Sequence, residues 1–228
     1  MAAPPLAEGV LPMTTLLLDL DGTLVESGPS IVASIRHAMQ VVGRPLDPAA
    51  DLSWVVGPPL HDIFTRLLGV GELVEAAAAS YRASYDTVGL FEAKPYPAIP
   101  AVLDALTTAG FSLLVATSKP ASVARRILTH VGLAGHFRAI YGAAVDGVLS
   151  HKPELISYIL ATQGLDPHHV VMVGDRSFDI FGAHANEVRA IGVLWGYGDR
   201  AELEQAGADA IAETPDSLPA LARGLLHA

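Results

Sequence analysis

Asp19 and Asp21 flank Leu20 where an apolar run over residues 14–20 gives way to Gly22 and Thr23. Two carboxylates this close repel each other unless a cation or a shared proton relieves them. A D-x-D-G string also marks ordinary turns, because Asp and Gly favour loops. The ends of the other apolar runs decide its meaning. Thr117 and Ser118 close a second run, 111–116, and Lys119 follows. Gly174 and Asp175 close a third, 170–173, with Asp179 four residues beyond. Lys152 stands just before the helical pattern that leads into that third run. If the runs are neighbouring parallel strands about 4.8 Å apart, these ends share one edge. That edge gathers four carboxylates, hydroxyls and one or two ammonium groups, a set that suits a hard divalent cation and a phosphoryl group. The chain has three lysines, Lys94, Lys119 and Lys152, against eleven arginines. Two of the three fall at the proposed edge, where a compact point charge suits a phosphoryl oxygen or an aspartate.

The elements that must position these residues follow from hydrophobic patterning. Besides the three long runs, 139–141, 190–194 and 208–211 read as short strands. Helical patterns over 97–109, 122–131, 154–163, 177–185 and 201–205 alternate with them, which predicts a parallel sheet covered on both faces. Between the first run and residue 97 lie about 70 residues without a strand signal, far more than the dozen or so a crossover needs. Ile31, Ile35, Ala38, Met39 and Val42 fall on one helical stripe. Leu60, Ile63, Phe64, Leu67 and Leu68 form a second, and Leu73, Ala77, Tyr81 and Tyr85 a third. The fold expected is α/β: a Rossmann-like parallel-sheet core with an inserted all-helical cap domain. Its parts are a flexible leader over 1–13, a core of 14–24 and 95–228, and a cap of 25–94 hinged near 24–26 and 92–97.

Composition narrows the partners. Among 228 residues, 14 Lys and Arg against 24 Asp and Glu give a net charge of −10, a poor match for nucleic acid. Cysteine is absent, which excludes a disulfide framework and thiolate metal sites. No apolar run approaches the roughly 18–20 residues that span a membrane, and the opening residues lack the basic and apolar parts of a signal peptide. A cytoplasmic globular protein is expected. His168 and His169 follow Asp166 and Pro167 at a turn, and adjacent side chains diverge, so no metal pair is read there. Trp54 and Trp195 read as packing residues. Gly196-Tyr197-Gly198 lacks the third glycine and helix of a dinucleotide fingerprint.

The strings LLLDLDGTL (16–24), LLVATSKP (113–120), SHKPELI (150–156) and MVGDRSFDI (172–180) occur in this order. Together they resemble the four motifs of the haloacid dehalogenase superfamily, and the helical insert resembles its cap. Within it the chain is similar to the phosphoglycolate phosphatase group, through VGPPL (56–60), the segment 81–99 and the tail 190–209, and to a 5′-nucleotidase-like branch through GDRSFDIFGA. Glu26 and Ala98 depart from the group, which usually shows Asp and Gly there.

The resemblance implies roles. Asp19 is the nucleophile that becomes an aspartyl-phosphate, and Asp21 is the general acid and then the base. Thr117 and the Ser118 amide hold phosphoryl oxygens, and Lys152 pairs with Asp19 and the phosphate. Asp175, Asp19 and the Asp21 main-chain carbonyl bind Mg²⁺, with Asp179 acting through water or on Lys152. The reaction implied is Mg²⁺-dependent hydrolysis of a small phosphorylated metabolite, phosphoglycolate-like. The alternatives are a 5′-nucleotidase, a non-hydrolytic phospho-accepting switch, and a mutase, for which no basic cluster supplies a second phosphate site. His61, Arg66 and Arg82 are the cap candidates to face the substrate, with a plain surface position the equal alternative for each, and Lys119 is left without an assigned role.

Overall fold

The computed structural model describes residues 14–144 and 147–226. The expected leader over 1–13 lies outside them. In chain order the elements are β1 (Thr15–Leu18), β2 (Val25–Glu26), α1 (Gly28–Val41), α2 (Leu60–Leu68), α3 (Glu72–Thr87) and β3 (Lys94–Pro95). Then come α4 (Ile99–Thr108), β4 (Ser112–Pro120), α5 (Ala121–His130), β5 (Ala139–Ala143), α6 (Lys152–Gln163) and β6 (Val170–Gly174). The chain closes with α7 (Ser177–His184), β7 (Arg189–Val193), α8 (Arg200–Gln205), β8 (Ala210–Ala212) and α9 (Leu218–Leu226).

Six strands form one sheet in the order β5-β4-β1-β6-β7-β8, and every pair is parallel. Such a sheet is covered on both faces, so its strands are continuously apolar. Side chains nevertheless alternate between faces. Leu16, Leu18, Val115 and Val173 belong to one core with Leu103 and Leu106 of α4. Leu17, Leu114, Ala116 and Met172 belong to the other with Leu155, Ile156 and Ile159 of α6. Leu18 of the central β1 pairs with both Val115 and Val173. The residues just beyond these three strands therefore emerge side by side, as the sequence predicts.

Residues 28–92, between β2 and β3, hold helices and no strand of the main sheet. Ile31, Ile35, Ala38 and Met39 of α1, Ile63 and Phe64 of α2, and Val74, Ala77, Tyr81 and Tyr85 of α3 are buried. Leu73, placed on the stripe by the sequence, is exposed. Val74 takes the inward position, because 74, 78, 81 and 85 keep the helical period. Where hinges are expected, β2 and β3 pair antiparallel, Val25 with Pro95 and Glu26 with Lys94. This ribbon ties the two crossings together. No described helix is long and apolar enough to cross a membrane.

Candidate active site

Lys152 opens α6 and is buried beneath the sheet edge. Its ammonium lies 2.9 Å from Asp19 Oδ1 and 2.5 Å from Asp179 Oδ1, and donates to the Ala116 carbonyl at 2.7 Å. Three acceptors around one buried cation use all of its donors. Asp175 is held by the Thr23 hydroxyl at 3.2 Å and the Tyr197 amide at 2.8 Å. The Arg176 amide donates to Asp179 Oδ2 at 3.2 Å. Close approach depends on missing side chains: a Cβ at Gly196 or at Gly22 (φ +83) would overlap the Asp175 side chain. The sequence reading set Gly196-Tyr197-Gly198 aside as no fingerprint. Its glycine and amide turn out to seat Asp175.

Ligand oxygens of Asp19, Asp175 and Asp179 lie within 4.8 Å of one another, all three residues buried. Burial, with repulsion from Asp179 and Asp21 and against the pull of Lys152, raises the Asp19 carboxyl to about 6. Burial, then Asp179 and Asp19, hold Asp175 well above the usual carboxylate range. Burial works against the charge on Lys152, yet Asp179 and Asp19 outweigh it and its pKa rises. Beyond their ion pairs with Lys152, Asp19 Oδ1 and Asp179 Oδ1 accept no hydrogen bond from the described residues. Three buried carboxylates around one ammonium, with oxygens left over, are under-compensated. An all-oxygen donor set of this charge fits a hard divalent cation such as Mg²⁺.

Asp21 sits in a different environment. Its Oδ1 accepts from the Ser27 hydroxyl at 2.5 Å and from Lys119 Nζ at 3.0 Å. Lys119 Nζ also donates to the Tyr85 hydroxyl at 2.8 Å. Ser27 and Tyr85 are partners the sequence reading missed. Tyr85 is visible there only as part of an apolar stripe, and nothing marks Ser27.

A cleft of about 510 Å³ opens between the strand ends and the helices of 28–92. Asp19, Asp21, Thr117, Ser118 and Lys119 form its floor, and Tyr81, Tyr85, Arg82 and His61 line the far side. Arg66 is not at the cleft. Its guanidinium lies 4.0 Å over the Trp54 ring, because five residues turn α2 by about 140° and set Arg66 away from His61. His168 and His169 stay in an exposed turn, where the Asp166 carboxylate takes the His168 amide at 3.0 Å and His169 Nδ1 at 3.2 Å.

Comparison with known proteins agrees with this geometry. Residues 16–193 match the model of the haloacid dehalogenase-like hydrolases. A 5′-nucleotidase of Pseudomonas aeruginosa is 39% identical over 86% of this chain and 89% of its own. A tyrosine-protein kinase, PtkA, of Mycobacterium tuberculosis is 44% identical over 80% of this chain, which spans 62% of that relative's length. The crystal structure of a predicted phosphatase from Clostridium acetobutylicum superposes with a TM-score of 0.88 at 35% identity, covering 96% of this chain and 100% of the other. With the four motif segments meeting at one sheet edge, and with the family's model spanning most of the sequence, this chain is a member of the haloacid dehalogenase-like hydrolases.

Proposed function

We propose that this chain hydrolyses a small phosphomonoester through an aspartyl-phosphate on Asp19. The observation that carries this reading is the placement of Asp19. One of its carboxylate oxygens is anchored on Lys152 at 2.9 Å, and the residue shares the cleft floor with Thr117, Ser118 and Asp21. An Asp19 oxygen attacks phosphorus, the bond to the ester oxygen breaks, and Asp21 protonates the departing alkoxide. Water then attacks the same phosphorus while Asp21 takes its proton, releasing phosphate and restoring Asp19. A covalent intermediate divides one difficult displacement into two. Thr117 and the Ser118 amide hold phosphoryl oxygens, and Lys152 stabilises charge at the transferring group. Asp19, Asp175, Asp179 and the Asp21 main-chain carbonyl would hold Mg²⁺. When bound, it screens the repulsion between two anions and stabilises the transferring phosphoryl group.

The helices of 28–92 act as a cap that closes over the leaving group. For the substrate, phosphoglycolate and nucleoside 5′-monophosphates are the two readings. Cleft size favours the second: pockets of about 300–1,000 Å³ suit leaving groups much larger than a two-carbon acid. The Pseudomonas relative's name points the same way. The test is phosphate release from 2-phosphoglycolate, AMP and 4-nitrophenyl phosphate with Mg²⁺, by wild type and Asp19→Asn. Turnover with wild type and its loss in the variant support hydrolysis. A single burst of phosphate uptake without turnover identifies a phospho-accepting switch instead. Retention of more than a tenth of wild-type turnover, about 1.4 kcal/mol of barrier, removes Asp19 as nucleophile.

A further inference from the structure

Asp21 is fixed by one oxygen only. Ser27 Oγ at 2.5 Å and Lys119 Nζ at 3.0 Å both bond to Oδ1. No described residue bonds Oδ2, while Asp21 lines the cleft beside Asp19. A carboxylate tethered on one side by a hydroxyl and a cation has little freedom to turn. Oδ2 is then the oxygen left available for proton transfer.

The tether depends on the helical insert. Ser27 is the N-cap residue of α1, where the chain enters the insert. Lys119 belongs to β4, but its second acceptor, Tyr85, belongs to α3. The ammonium also lies 4.3 Å from the centre of the Tyr85 ring, within the range of a cation–π contact. Tyr85 stacks on Tyr81 at 5.4 Å, and Tyr81 meets Phe64 of α2 edge-on at 6.4 Å. A run of aromatic contacts therefore leads from the interior of the insert to Lys119, and Lys119 leads to Asp21. Both Lys119 and Asp21 are almost wholly buried. If Tyr85 withdraws, the ammonium keeps Asp21 but loses a hydroxyl acceptor and a ring face in a place where water reaches it poorly. A buried charge stripped of a partner is strongly destabilised.

Resting on the phosphatase reading above, we infer that Lys119 and Tyr85 are positioning residues: seated together, they aim Asp21 Oδ2 for proton delivery to the leaving oxygen. Docking of the insert is thereby coupled to acid catalysis. This adds no group to the phosphoryl site. It says that proton transfer, and not attack on phosphorus, senses whether the insert is in place.

Leaving-group chemistry separates this from a merely structural role. An alkoxide needs a proton as it departs; 4-nitrophenolate does not. The experiment compares kcat/KM for AMP or 2-phosphoglycolate, whichever wild type cleaves faster, with that for 4-nitrophenyl phosphate. Both are measured with Mg²⁺ on the full chain. Lys119→Met is expected to lower kcat/KM for the alkyl ester about a hundredfold, at the low end of general acid contributions, and that for the aryl ester no more than about threefold. Tyr85→Phe keeps the ring and its stack and removes only the hydroxyl. Its expected loss on the alkyl ester is about tenfold, with the same selectivity. Should Lys119→Met fail to fold, Tyr85→Phe decides alone. Equal losses on both esters, or no loss on either, overturn the inference while the hydrolytic reading stands. A wild type inactive on all three esters takes down both.

Discussion

A Cβ at Gly182 would overlap Cβ of Lys152 and stand 3.0 Å from its carbonyl carbon. Here α7 presses a bare backbone against the first turn of α6. The ammonium reaches Asp19 and Asp179 because the stem of Lys152 starts this close to α7.

Gly182→Ala tests that contact. Alanine gains about 1 kcal/mol of helix propensity, whereas overpacking against a backbone costs about 1–3 kcal/mol. Overpacking wins, because the obstructing atoms are not the far end of a flexible side chain. A fall in thermal midpoint with a lowered kcat is expected. A more stable, fully active variant would show that Lys152 has room to shift.

Thermal melts with and without Mg²⁺ test the acidic cluster without any turnover. Binding at a hundredfold excess over Kd stabilises by about 2.7 kcal/mol, or about 5–10 °C in a domain of this size. Asp175→Asn is expected to abolish most of that shift. An equal shift in the variant would remove Asp175 from the metal site.

Glu202 supplies a pH-dependent strut. It accepts from the Ser177 amide and hydroxyl, each at 2.8 Å, and from Arg176 Nε at 3.0 Å. Burial opposes its charge, but these donors outweigh burial and hold its carboxyl below the usual 4.5. A depressed acid contributes stability that is present above its unfolded pKa and lost as pH falls through the folded one. Glu202→Gln is expected to destabilise by about 1–2 kcal/mol at pH 7, a charged hydrogen bond discounted for partial exposure. The gap should close below pH 4.5, the ordinary value. Melting both proteins from pH 7 to pH 3.5 checks it; a constant gap contradicts it.

Ala98 caps α4 with φ 67, a left-handed conformation that costs a side chain about 1–2 kcal/mol. This is the position where the resembling group usually carries Gly. Ala98→Gly relieves the strain but frees the unfolded chain by about 0.4–1 kcal/mol. The net expectation is a gain of about 0.5–1 kcal/mol, near 2 °C in midpoint. A lower midpoint would mean that the Ala98 methyl contributes packing that outweighs the strain.

The sheet was legible in the sequence because a strand buried on both faces must be apolar throughout, so 14–20, 111–116 and 170–173 stand out. Their polar ends, Asp19, Thr117 and Asp175, were legible for the converse reason: polar side chains directly after such runs must serve something. The ribbon of β2 and β3 was not, since two residues a side carry no period. Neither was α9, nine residues interrupted by Pro219 and Gly224, over which no helical pattern was read. Ser27, Tyr85 and the Tyr197 amide escaped because their partners lie 6, 34 and 22 residues away in sequence. An amide carries no side-chain signature at all. Which of His61, Arg66 and Arg82 meets the cleft was not legible either, since a stripe gives which residues share a face, not which face meets the cleft; Arg66 lies over Trp54 instead.

The pairing of Val25 with Pro95 and Glu26 with Lys94 stitches the outgoing and returning crossings side by side. A swing of residues 28–92 would therefore turn about one line, like a door on a single jamb. Tyr85, carried by that door, and Lys119, fixed to the frame, would meet as latch and strike.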